Sequence, residues 1–232
     1  MLFRQDRRLE EIPAQGGKHG QNFKHIAESG YSIDPDGIRL FAFFPALPAM
    51  ARLLGGAEYA PLAGILVSQF AFLVCMIMLS EYAPERGPSE LLAQPGFWML
   101  VSPVGFFFLA FYTESIFLLA VLVMAAAVRQ QKTAIGAMAG ILAGLTRPTA
   151  IILPILVIGG TPRNRKRLLT LAILGAAPVA GIAMYSAFVA TQLGDPLGYI
   201  HVQQNAFGRY GSGQLCFPFA GDLAKFGRCL ST

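Results

Sequence analysis

YAPLAGILVSQFAFLVCMIMLS, residues 59–80, is the stretch that decides the fold, because it carries no charged side chain and its one proline, Pro61, stands at its start. A helix needs roughly 20 apolar residues to cross the hydrocarbon core of a bilayer, where only internal backbone hydrogen bonds can satisfy the amides. The stretch therefore predicts a membrane-crossing helix. Towards the C-terminus, the polar, proline-containing loop EYAPERGPSELLAQPG (81–96) leads into a second apolar block at 97–128. At about 1.5 Å per residue that block is too long for one crossing and short for two. Its middle holds Pro103 and the polar cluster Tyr112-Thr113-Glu114-Ser115, so it predicts two helices, the first short, with FYTES at the apex.

Residues 133–160 repeat the arrangement, with Arg147-Pro148 interrupting an apolar segment. Arg129 and Lys132 flank it on one side, and Arg163, Arg165, Lys166 and Arg167 on the other. Basic flanks favour the cytoplasmic side, so both ends belong there and the segment reads as two half-helices that carry Arg147 towards the opposite face. Residues 167–191 form the last predicted crossing. Counting back from the basic run RNRKR puts Arg147, FYTES, the loop at 192–232 and everything before Tyr59 on the external side. The expected organisation is a polar N-terminal segment (1–24), an external loop with an interfacial helix (25–58), a transmembrane region (59–191) and an external loop (192–232). The fold class is all-α, a polytopic transmembrane bundle with short and broken helices.

Composition agrees. The chain is 54% hydrophobic and 13% charged, against about 25% charged in an ordinary soluble domain. Its net charge of +5 sits at the ends of apolar blocks without interleaved aromatics, which fits membrane topology and excludes a nucleic-acid face. Cys75 lies inside an apolar run. Cys216 and Cys229 show no metal-ligand spacing, and a disulfide between them requires that tail to face an oxidising compartment. No metal site and no cofactor are expected.

The N-terminal MLFRQDRRLEEIPAQGGKHG has no apolar core that could act as a signal peptide. An external N-terminus needs an upstream helix to carry it across, so the chain reads as truncated at its start. The ending at LST, after a loop with no closing helix, extends the same expectation to its C-terminus.

Several polar groups could carry chemistry. Glu114 and Arg147 are ionisable groups in apolar surroundings, where charge is costly without a partner or a cavity. The planar fork of Arg147 suits phosphate oxygens. The plainer reading is a structural pair with Glu114 or a carbonyl. Asp34 and Asp36 lie in DPDG, which also reads as a simple turn, ahead of an amphipathic stretch bounded by Arg39 and Arg52 that suits a membrane interface. Asp195, His201, Gln203 and Arg209 lie among Tyr199 and Phe207, a mixture fit for holding a sugar or diphosphate and equally for a solvated loop.

HIAESGY, AFFPALPAMAR, SPVGFFFLAFYTESIFLL, AGILAGLTRPTAIILP and GDPLGYIHVQQNAFGR, in that order over residues 25–209, resemble the PIG-V family. These are relatives of GPI mannosyltransferase 2, widespread in bacteria, within the GT-C superfamily of multi-span glycosyltransferases. The resemblance implies transfer of a mannosyl-type sugar from a polyprenyl phosphate donor to an acceptor on the external or lumenal face. The membrane would be the bacterial cytoplasmic membrane, or the endoplasmic reticulum of a eukaryote. Inverting displacement would use a carboxylate base and a cation on the leaving lipid phosphate. Arg147 then matches the phosphate, Glu114 a polar contact beside it, and Asp195, His201, Gln203 and Arg209 the sugar or acceptor side. The family also has a Trp-Asp pair bearing its expected catalytic carboxylate, and here those positions read Lys18-His19. Asp34 or Asp36 would have to substitute, and otherwise the chain is an incomplete or inactive version. A multi-span transporter and a non-catalytic membrane scaffold are the competing readings.

Overall fold

A computed structural model describes residues 19–34, 37–81, 95–103, 105–160 and 167–207. Among them every regular element is helical: α1 (His19–Ser29), a 3-10 turn (Ile38–Ala42), α2 (Ala46–Gly55), α3 (Ala60–Ser80), α4 (Pro95–Val101), α5 (Phe106–Leu109), α6 (Glu114–Arg129), α7 (Thr133–Thr146), a second 3-10 turn (Pro148–Ile152), α8 (Pro154–Gly160), α9 (Arg167–Leu193) and α10 (Gly198–Phe207). The basic run at 163–166, Asp36, Arg209, Cys216 and Cys229 lie outside the described residues.

Two helical stretches, Ala60–Ser80 and Leu168–Leu193, are long and apolar enough to cross a membrane. The first, with 21 residues, is about 32 Å long, close to the roughly 30 Å of a hydrocarbon core. The core helix of a soluble protein is mostly buried, whereas only 33% and 28% of these two apolar windows are buried within the chain. Leu62, Leu66, Phe70, Leu73 and Ile77 on α3, and Leu169 and Met184 on α9, stand exposed instead. A contiguous apolar surface of this kind points to lipid as its solvent.

The chain divides into two compact units. One comprises the described residues within Lys18–Gly30 and Phe43–Phe188, the other those within Tyr31–Ala42 and from Val189 onward. In the larger unit, α6 and α7 form a helical hairpin closed by a Schellman-type turn. Lys132 N–H donates to Ala127 O (2.9 Å), with Gln131 in the left-handed region at φ 58°, where glycine is usual. Ala120, Met124 and Val128 of α6 meet Ala139 and Ala143 of α7, Leu153, Val157 of α8 and Leu174 of α9 in one apolar core. The Gly136-Gly140-Gly144 ladder on α7 brings that helix against Leu174, Ala177 and Pro178. At Gly144 the two backbones touch, and an added methyl would fall on Pro178 O and the Gly181 Cα.

In three stretches the structure adds detail to the sequence reading. Helix α1 starts at His19, inside the segment read as a polar N-terminal tail. Its C-terminal carbonyls, Ala27 O and Glu28 O, accept from Arg52 Nη1 at 3.4 and 3.2 Å, so a side chain distant in sequence caps it. The stretch bounded by Arg39 and Arg52, read as amphipathic and suited to a membrane interface, holds a 3-10 turn followed by α2; Phe41 and Leu47 are fully buried within the chain, while Leu53 and Leu54 stand exposed. Pro45, at the N-cap of α2, accounts for the interruption, since it offers no amide to a continuous helix. Residues 192–232, read as an external loop, contain the short helix α10.

Candidate functional site

Helix α6 opens within FYTES, with Thr113 at its N-cap and Glu114 in its first turn. A carboxylate there is favoured by the free amides and positive end of the helix dipole. Across from it, α7 ends because Pro148 follows Arg147. The residue before a proline is driven out of the helical region, and Arg147 is extended at φ −156°, ψ 144°. Its amide still closes the last turn on Ala143 O (3.2 Å). The side chain thus leaves at a fixed break, not from a helix face.

The guanidinium makes two contacts in the polar cluster. Nε donates to Thr113 Oγ1 at 3.0 Å, and Nη2 donates to Glu114 Oε1 in an ion pair. Thr113 is buried, and its hydroxyl, occupied by Arg147, makes no side-chain cap bond to its own helix. The guanidinium carbon lies 5.9 Å from the Phe117 ring centroid, within cation–π range. The pair is not sealed: the side chains of Arg147 and Glu114 keep 34% and 25% of their accessible surface.

Two groups remain unused. Nη1 of Arg147 has no hydrogen-bond partner among the described residues, so one edge of the fork is open to an anion. Glu114 Oε2 is, among the described residues, the one buried side-chain oxygen without a partner. An unsatisfied buried acceptor costs on the order of 1–3 kcal/mol, more when charged, and a ligand hydroxyl or a water would relieve it.

The floor beneath this cluster is fixed by α3. Ser68 is fully buried, with Oγ 3.0 Å from Gly64 O and 3.2 Å from Tyr112 O, which ties α3 to the residue before Thr113. Gly64 has no side chain because the Phe111 ring occupies the space where one would stand.

In the smaller unit, Gly194 ends α9 at φ 73°, its amide bonded to Ala190 O (2.9 Å). Asp195 then precedes Pro196 in the turn that leads into α10. Its Oδ1 accepts from Leu197 N–H at 2.9 Å, the capping role for which aspartate is preferred. Its Oδ2 lies 2.6 Å from His201 Nδ1. Gln203 Nε2 donates to Ala42 O at 3.1 Å, holding α10 to the 3-10 turn.

Of the sequence candidates, then, Glu114 pairs with Arg147 and Asp195 with His201. Gln203 serves a backbone carbonyl. Asp34 is exposed and accepts from Gly37 N–H at 2.6 Å, as its turn reading predicts. His19 lies at the start of α1. Sequence reasoning placed Thr113 in the polar cluster but gave it no role, and the structure shows its hydroxyl accepting from Arg147 Nε. No protein-family model, no curated protein and no solved structure matches this chain.

Proposed function

We propose that this chain is a multi-span membrane glycosyltransferase of the mannosyltransferase type, using a polyprenyl phosphate sugar donor on the external or lumenal side of its membrane. The observation that carries the reading is the Thr113–Glu114–Arg147 cluster at paired helix breaks. A guanidinium held on one edge and open on the other suits a phosphate diester, which needs a preorganised cation as its bond to the sugar breaks. Glu114 Oε2, buried without a partner, is an acceptor for a sugar hydroxyl. The ordered motifs resembling the PIG-V family support the same reaction class.

In this reading the broken segments Pro95–Leu109 and Thr133–Gly160 have a physical reason. Non-helical backbone at membrane depth is tolerated where it is buried in protein or lines a cavity. The break at Pro148 fixes the point from which Arg147 reaches Thr113 and Glu114. Transporters use broken helices too, and the test separates the two. Membranes containing the chain should transfer labelled mannose from undecaprenyl phosphate mannose to endogenous acceptor, and Arg147→Ala should abolish it. Solute uptake with no transfer would reject the reading.

A further inference from the structure

The ion pair between Arg147 and Glu114 leaves one unmet hydrogen-bonding group on each partner, and the two are of opposite kind. Arg147 gives Nε to Thr113 Oγ1 (3.0 Å) and Nη2 to Glu114 Oε1, so Nη1 is the edge left to donate. Glu114 Oε2 is buried with no donor facing it among the described residues. The guanidinium is planar and rigid, so an anion on Nη1 stands within the width of one guanidinium from the carboxylate. Thr113 is buried at the N-cap of α6 and holds Nε, and the fork cannot turn away from Glu114 without giving up that bond. A ligand that satisfies both groups therefore brings an anionic oxygen for Nη1 and a hydroxyl for Oε2. Both side chains are partly exposed, which leaves the pair open to one.

A glycosyl phosphodiester meets this demand with a single negative charge. Once the sugar has left, the lipid phosphate is a monoester. It has no sugar hydroxyl to offer Oε2, and near pH 7 it carries about 1.5–2 negative charges, which the neighbouring carboxylate repels. We propose that Glu114 is a specificity-determining residue, making the site prefer the sugar-bearing phosphodiester to the spent phosphate monoester, so that the group that holds the sugar also expels the product. The proposal rests on the glycosyl-transfer reading above.

The test measures the binding of three ligands to the full chain in lipid nanodiscs: undecaprenyl phosphate mannose, undecaprenyl phosphate, and undecaprenyl methyl phosphate, a diester without hydroxyls. Wild type should bind the mannosyl donor about tenfold to a hundredfold more tightly than the monoester, with the methyl diester between them. Glu114→Gln keeps an oxygen for Arg147 Nη2 and loses the charge. In it the preference should shrink by about tenfold, chiefly because the monoester binds more tightly, and transfer should become more sensitive to inhibition by added undecaprenyl phosphate. Glu114→Asp keeps the charge, draws the oxygens back, and should retain an intermediate preference. Equal affinity of wild type for the three ligands overturns the proposal whether or not the variants fold, and so does a preference that Glu114→Gln leaves unchanged. In both cases transfer by wild type leaves the glycosyltransferase reading intact. Absence of transfer in wild type sinks that reading and this proposal with it.

Discussion

Helix α7 carries two opposite solutions to the problem of holding helices together. Along its Gly136-Gly140-Gly144 face it approaches α9 by having no side chains at all, and at Gly144 backbone meets backbone. Three residues later, at Arg147, it projects a charged side chain across to α6. The first contact gains dispersion energy and brings no side-chain polar group that would need a partner. The second desolvates two charges and strands Glu114 Oε2. Stability is supplied by the seam, while the polar break is where binding chemistry can be stored.

The contrast can be broken most sharply at the ion pair. Arg147→Ala leaves a partly buried carboxylate without its counter-ion, and we expect it to destabilise the chain by about 2–4 kcal/mol in thermal unfolding in detergent. Glu114→Ala combined with Arg147→Ala should recover at least half of that loss, because the stranded charge goes with its partner. A double variant as unstable as the sum of the singles would contradict the pair's assignment. At the seam, Gly144→Ala places a methyl on Pro178 O and should cost about 1–3 kcal/mol by overpacking, with transfer chemistry unchanged once the chain is folded. A neutral result would mean that α7 and α9 do not touch there.

Smaller effects sharpen the picture. Ser68→Ala removes the hydroxyl between Gly64 O and Tyr112 O and should cost about 1 kcal/mol, with weaker donor binding as the FYTES apex loosens. Gln131→Gly relieves a left-handed residue in the α6–α7 turn and should stabilise by about 0.5–1 kcal/mol. A rise in thermal midpoint with unaltered donor affinity would separate the hairpin's stability from its function.

Much of the architecture was legible in the sequence. The apolar runs at α3 and α9 signal themselves by the absence of charge, and the break at Arg147 by a proline beside a cation. The helix α10 was not legible, because GYIHVQQNAF has no apolar period, and its start depends on the Asp195 cap and the Gln203 bond to Ala42. Burial of Phe41 and Leu47 was hidden for a related reason: an amphipathic stretch looks the same whether lipid or protein covers it. For the site, Glu114 and Arg147 were each conspicuous as charges among apolar residues. Their pairing was one of two readings, and the Thr113 hydroxyl that orients the guanidinium could be found only in three dimensions.

In the proposed glycosyltransferase, the open guanidinium edge of Arg147 would receive a lipid phosphate. Binding of undecaprenyl phosphate to the purified chain in nanodiscs tests it most directly, measured for wild type, Arg147→Lys and Arg147→Ala. The account predicts saturable binding in wild type, an intermediate loss in Arg147→Lys, and a loss of about tenfold to a hundredfold in Arg147→Ala, the equivalent of one or two charged hydrogen bonds. Equal affinity in all three proteins would contradict it.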